Sequence, residues 1–226
     1  MKNQVLGLHL LEKWNMFEEF NLDRDATRKW LAFVEGCYVD TPYHNSLHAA
    51  DVTQTVHFFL SVGGLATFLD KFEILGLLLA AMVHDLGHDG LNNLYHKNAH
   101  TDRALAFNDQ SIQENFHLHL LFSIMRQNPY IDLFRSFSQA QKLEMRSMII
   151  DLVLRTDMSK HFVNLKDFKE LAETMGGDRE EWRGGGNIET LMSLVLHAAD
   201  ISNPSKPQPL AVFWAQVSSY IHLDDI

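Results

Sequence analysis

Cysteine and proline are scarce in this sequence. Its 226 residues include five prolines and a single cysteine, Cys37. One cysteine excludes an internal disulfide and suits a reducing compartment. Cys37 itself reads as a small buried hydrophobe rather than a nucleophile. Basic residues are in deficit: 19 Lys and Arg stand against 29 Asp and Glu, a formal net charge of −10. That balance argues against a nucleic-acid polymer as partner, since such a surface carries a basic stripe. It suits a protein that holds cations. Long apolar runs are missing as well. The longest, Ile74 to Val83, has ten residues, whereas a membrane-spanning helix needs about 20. The N-terminal MKNQVLGLHLLEKW has neither the apolar region nor the small-residue cleavage site of a signal peptide. The expectation is an intracellular soluble protein with no membrane insertion.

Strand-like alternation is the last absence. What is present is helical spacing and enough apolar residues, 46%, for a packed core. Met145, Met148, Ile149, Leu152 and Val153 recur on one helical face. Ser138 with Gln141, and Ser111 with Glu114, predict capping boxes that open two helices. Phe68 to Asp85 is apolar on most sides and predicts a central buried helix. Leu191 to Ala199 has the same character. The most loop-like stretch is Met175 to Asn187, MGGDREEWRGGGN, with five glycines. No repeat or linker divides the chain, so the expectation is a single all-α domain over residues 1–226.

Thirteen histidines are many for this length, and several interrupt oily segments. Burying polar groups is costly unless they are paired or bound to a metal. His44, His48 and Asp51 fall in one such segment, His84, Asp85 and His88 in a second, and His197 and Asp200 in a third. Residues four apart share a helix face, so His44/His48 and His84/His88 are each candidates for aiming two imidazoles one way. Imidazole with carboxylate suits zinc and other divalent first-row ions. The two oxygens of Asp85 could bridge two ions. Bland readings compete at each place: surface pairs, polar ties between helices, Glu114 as the third residue of a capping box, and Asp51 as a partner that orients a histidine. Three separate oily segments with metal-type ligands, in an acid-rich chain, favour the metal reading.

HDLGH also has the two-histidine spacing of a zincin protease. Asp85 then stands where the longer Glu is needed to reach a water on the metal. Gly87 marks a helix end rather than a helix interior. A phosphohydrolase with two metals, which activates a water and clamps a phosphoryl group, fits better.

The ordered segments YHNSLHAADV, HDLGHDGLNN, SIQENFH, RTDMSKHF and LHAADISNPSKP resemble the class I cyclic nucleotide phosphodiesterases, a branch of the HD-domain metallohydrolases. The resemblance covers about Trp14 to Trp214. It implies a compact all-helical catalytic domain that hydrolyses a 3′,5′-cyclic nucleotide to the 5′-monophosphate, with cyclic AMP favoured through Asn203. It implies His48, His84, Asp85 and Asp200 as ligands of a tightly held zinc. Asp85 would bridge to a second ion, magnesium or manganese, that is otherwise coordinated by waters. His88, Glu114, His117 and Thr156 match the positions that hold those waters. His44 matches a general acid acting with a metal-bridging hydroxide. Tyr43, Asn93, Met158, Ile201 and Asn203 match positions in or around the nucleotide pocket. A simpler HD-domain phosphohydrolase would not need the YHN histidine or the ADISNP segment. A non-catalytic sensor would show a lost ligand, and none of the four is lost.

The chain departs from the family at its end. AQVSSYIHLDDI does not match the helices that carry the purine-gripping glutamine and the stacking phenylalanine. The C-terminal part of the family domain is thus absent or unrecognised after about residue 216, and exposed apolar surface is expected where further helices would pack. Gly87 and Asp89 stand where many relatives carry, respectively, an acidic residue and Pro or Arg.

Overall fold

The computed structural model describes residues 2–176, 179–184 and 186–219. All regular elements among them are helical, as thirteen α-helices and four short 3₁₀ turns. In chain order the helices are α1 (Lys2–Lys13), α2 (Met16–Glu19), α3 (Arg24–Cys37), α4 (Ser46–Ser61), α5 (Lys71–Val83), α6 (Asn93–Asn98) and α7 (Asp102–Ala106). They continue as α8 (Ile112–Gln127), α9 (Gln139–Leu154), α10 (His161–Thr174), α11 (Arg179–Trp182), α12 (Asn187–Asp200) and α13 (Gln208–Ser219).

Helix α5 is the axis of the fold. No apolar side chain from Ile74 to Val83 is more than 2% exposed. Each buried leucine there contributes about 1.5–3 kcal/mol relative to an exposed one. Helices α4 and α9 pack along α5, and α1, α2, α8 and α12 complete its enclosure. The helix is shorter at both ends than Phe68 to Asp85. At its start Asp70 accepts the Glu73 N–H at 2.9 Å, and Glu73 accepts the Asp70 N–H at 2.6 Å. This reciprocal cap keeps residues 68–70 outside the helix. At its end His84 is the C-cap. Three residues on, Gly87 takes φ +73°, a conformation in which side chains are strained.

The Ser138–Gln141 capping box forms as expected. The one at Ser111 does not. Ser111 lies at φ 41° and gives its hydroxyl to Asp157 Oδ2 at 2.8 Å. Residues 175–187 are not wholly a loop, because α11 lies among them. Helix spacing also fails for the histidine pairs. Helix α4 begins at Ser46, with Asn45 as N-cap, so His44 sits in the turn before it. His88 lies in the turn beyond α5. Neither pair shares a helix face, and their approach is made by turns.

Candidate metal centre

Helix ends bring the four ligand-type residues together. His48 is on the first turn of α4, His84 caps α5, Asp85 follows it, and Asp200 ends α12. The carboxyl ends of α5 and α12 therefore converge, and a helix C-terminus favours a cation. One ligand atom from each of the four residues lies within 4.8 Å of all the others. His48 Nε2 is 2.9 Å from Asp200 Oδ1 and 3.3 Å from Asp85 Oδ2. His84 Nε2 is 3.3 Å from Asp85 Oδ2 and 3.4 Å from Asp200 Oδ1.

Backbone carbonyls at the end of α5 orient this set. His84 donates its Nδ1–H to Ala81 O at 2.9 Å, which leaves the Nε2 lone pair facing the cluster. His117 does the same through Leu86 O at 2.8 Å, and its Nε2 lies 3.8 Å from Asp85 Oδ1. Tyr38 donates its hydroxyl to Met82 O at 3.0 Å. Carbonyls without a partner in the helix are thereby satisfied by groups that build the site.

The residues fit a cation. The two imidazole Nε2 atoms of His48 and His84 are only 3.3 Å apart, and Asp85 Oδ2 is buried with no hydrogen-bond partner among the described residues. A buried carboxylate oxygen without a donor is costly, and a cation removes that cost. His44 Nδ1, His48 Nδ1 and Asn203 Oδ1 are likewise buried without partners, so unsatisfied groups gather in this region.

Electrostatics agree with the geometry. Burial opposes a charge on His48 and His84, yet Asp85 and Asp200 outweigh it and hold both imidazoles above their ordinary range. Burial also opposes charge on Asp85 and Asp200, yet the facing histidines hold both carboxyls low. Further out, burial pushes His44 down to about 3 and His88 and His117 to about 4. Burial raises Glu114 to about 7.

The residues expected to hold water are placed unevenly. His117 faces Asp85, as described. His88 is stacked between His44 and His117, with centroids 3.8 and 5.6 Å away. Glu114 makes no capping box; its Oε2 accepts from Asn93 Nδ2 at 2.9 Å. Thr156 donates its hydroxyl to Val153 O at 2.8 Å, which turns its hydroxyl hydrogen away from the four ligand-type residues. Asp51 does not orient a histidine. It pairs with Lys206 Nζ at 2.6 Å, tying α4 to the segment before α13.

Tyr43, Met158, Ile201 and Asn203 line one cleft of about 800 Å³. Asn93 is not in it, being held between the Gln113 N–H and Glu114. Asn203 Nδ2 donates to the Tyr43 hydroxyl, which joins the turn before α4 to the 3₁₀ turn Asn203–Ser205. Trp214 of α13, not singled out from sequence, also lines the cleft. Its ring lies edge-on to Tyr43 and His48 at 5.5 and 5.9 Å. Sequence carried only a weak sign of it, since it follows Val212 and Phe213 without a clear period. Met158, Ile201 and Val212 are more than two-fifths exposed and line this cleft.

Comparison with known proteins follows the same motifs. The family description "3'5'-cyclic nucleotide phosphodiesterase" matches residues 43–220. The 3',5'-cyclic-AMP phosphodiesterase 4C of Rattus norvegicus is 38% identical over 212 residues, covering 92% of this chain and 39% of that protein. Isoform F of the 3',5'-cyclic-AMP phosphodiesterase of Drosophila melanogaster is 40% identical over 195 residues, covering 82% of this chain and 28% of that protein. The crystal structure of the phosphodiesterase domain of the RhoPDE fusion protein from Salpingoeca rosetta superposes with a TM-score of 0.90 at 31% identity, covering 97% of this chain and 68% of that one. This chain thus spans less than half the length of both curated relatives. With the family description extending over most of its residues, the chain belongs to the 3'5'-cyclic nucleotide phosphodiesterase family.

Proposed function

We propose that this chain hydrolyses a 3′,5′-cyclic nucleotide to its 5′-monophosphate, with cyclic AMP preferred over cyclic GMP. The observation that carries the reading is the convergence of His48, His84, Asp85 and Asp200 at the mouth of α5 and α12. The preference for cyclic AMP is supported by Asn203 and by the rat and fly relatives, which are 3',5'-cyclic-AMP phosphodiesterases. His48, His84, Asp85 and Asp200 would hold a zinc ion, and Asp85 would share a second ion, magnesium or manganese; when bound, these ions would supply Lewis acidity and a water made nucleophilic at neutral pH.

The chain's own residues do the rest. The carboxylate of Asp200 accepts a hydrogen bond from the attacking water and aims it at phosphorus. His44 gives a proton to the departing O3′. Burial makes His44 a reluctant holder of that proton. The anionic phosphate arriving beside the ring favours its charged form, so proton uptake accompanies substrate binding and release accompanies bond cleavage. His88 stacks on the ring and holds its plane. Tyr43 and Asn203 form one wall of the cleft for the nucleoside, and Trp214 closes it beside His48.

The test is hydrolysis of cyclic AMP and cyclic GMP in one assay, with and without chelator. Turnover that favours cyclic AMP, stops with chelator and returns with zinc and magnesium is the expected result. No turnover, or turnover indifferent to chelator, rejects the reading.

A further inference from the structure

Beside the metal centre lies a second polar cluster that the four ligands do not use. Asp89, in the turn beyond α5, is its hub. Asp89 Oδ1 accepts from Gln113 Nε2 at 2.6 Å, from the Leu91 N–H at 3.2 Å and from His96 Nε2 at 3.3 Å. Asp89 Oδ2 faces Arg103 Nη1 at 3.1 Å. The same Arg103 nitrogen reaches Gln113 Oε1 at 2.7 Å, and Arg103 Nη2 reaches Gly87 O at 3.3 Å. The guanidinium lies 3.6 Å from the Phe116 ring centroid.

His96 Nε2 lies 3.1 Å from Gln113 Nε2 as well as 3.3 Å from Asp89 Oδ1. Thr101 donates its hydroxyl to His96 Nδ1 at 2.9 Å, which leaves His96 Nε2–H for Asp89. The two Gln113 amide hydrogens go to Asp89 and to Leu91 O at 2.7 Å. Gln113 and His96 are at most 3% exposed. A buried polar network gains strength as its members are satisfied, and here both oxygens of Asp89 and both amide groups of Gln113 have partners.

The cluster connects to the site by a short path. Gln113 is next to Glu114 on the first turn of α8. Its backbone N–H binds Asn93 Oδ1 at 2.8 Å, and Asn93 Nδ2 binds Glu114 Oε2 at 2.9 Å. Fixing Gln113 therefore fixes both the start of α8 and the asparagine that holds the Glu114 carboxylate. Arg103 at Gly87 O fixes the turn that carries His88.

We propose that Asp89 is a positioning residue: through Gln113 and Asn93 it sets the Glu114 carboxylate for the waters of the ion beside Asp85. This rests on the two-ion reading given above. Loss of such an outer partner weakens metal binding by about 10–100-fold. Asp89→Asn keeps the volume but replaces one acceptor oxygen by an NH2, which must face either Arg103 Nη1 or the Gln113, Leu91 and His96 donors, and it removes the negative charge opposite Arg103.

The experiment is Mn²⁺ titration of the zinc-loaded chain, followed by electron paramagnetic resonance, for the wild type, Asp89→Asn and Gln113→Met. Zinc content should stay the same while Mn²⁺ affinity falls about tenfold in both variants. Should Asp89→Asn fail to fold, Gln113→Met decides alone, since it removes the amide and keeps the bulk. A lower unfolding midpoint with unchanged Mn²⁺ affinity would make the cluster merely structural and overturn the proposal. A wild type that takes up zinc but no Mn²⁺ overturns it too. A two-ion wild type that shows the tenfold effect but hydrolyses no cyclic nucleotide supports the positioning role and defeats only the functional reading.

Discussion

The imidazoles of His44 and His88 lie face to face, 3.8 Å between centroids and 17° from parallel. His88 Nδ1 accepts the Gly90 N–H at 3.0 Å, so a neutral His88 carries its proton on Nε2. His44 Nδ1 has no hydrogen-bond partner among the described residues. The plane of His44 is thus set by stacking, and its proton remains available for transfer.

Replacing His44 by alanine should leave both ions in place, because His44 is none of the four ligands. Turnover should fall by about 10²–10⁴-fold, the usual contribution of a general acid. Metal analysis beside steady-state kinetics checks this. Normal turnover in the variant would remove His44 from the reaction.

Asp200→Ala should behave differently. Asp200 closes the ligand set against both His48 and His84. Its loss should remove zinc and turnover together and leave two imidazoles raised by Asp85 alone. Zinc retained at wild-type occupancy after dialysis against chelator would contradict its role as a ligand.

Zinc uptake should release protons near neutral pH. In the metal-free chain His48 and His84 are held above their ordinary range by the two carboxylates. Their charged forms stabilise the fold fully below the unfolded value of about 6.5. That stabilisation is lost as pH rises through the raised native values. A metal needs the neutral imidazoles, so its apparent affinity should increase with pH across the same window. Calorimetric titration in two buffers of different ionisation heat measures the release. Equal heats in both buffers at pH 7 would contradict it.

Gly87→Ala should destabilise the chain by about 2 kcal/mol or more, from the left-handed backbone and from crowding. A Cβ there would sit 2.7 Å from Leu120 Cδ2 and 3.1 Å from Phe116 Cε1, at φ +73°. Urea unfolding of the metal-free protein reads this directly, and an unchanged midpoint would show that the turn relaxes at little cost.

The helical class and the central place of α5 were legible because ten successive apolar or glycine residues have nowhere to go but the interior. The four ligand-type residues were legible because the carboxylates and imidazoles stand at the ends of oily segments, where burial makes an unpartnered polar group expensive. Spacing was the poor guide. His44 and His48, and likewise His84 and His88, are four apart, yet turns rather than a shared helix face bring them near the site. The Ser111–Glu114 cap was read from local pattern, but Asp157 and Asn93, distant in sequence, took those side chains instead. Arg103 and Gln113 gave no local signal, and Asp89 stood out only as a departure from the family pattern, since their contacts depend on how α7, α8 and the turn beyond α5 meet.

The hydrogen bond between His48 and Asp200 joins residues 152 positions apart. Until α12 has been synthesised, a growing chain holds only three of the four residues proposed as ligands, His48, His84 and Asp85. On the proposed ligand set, tight zinc binding should therefore require α12, and a chain that stops before residue 187 should hold zinc weakly.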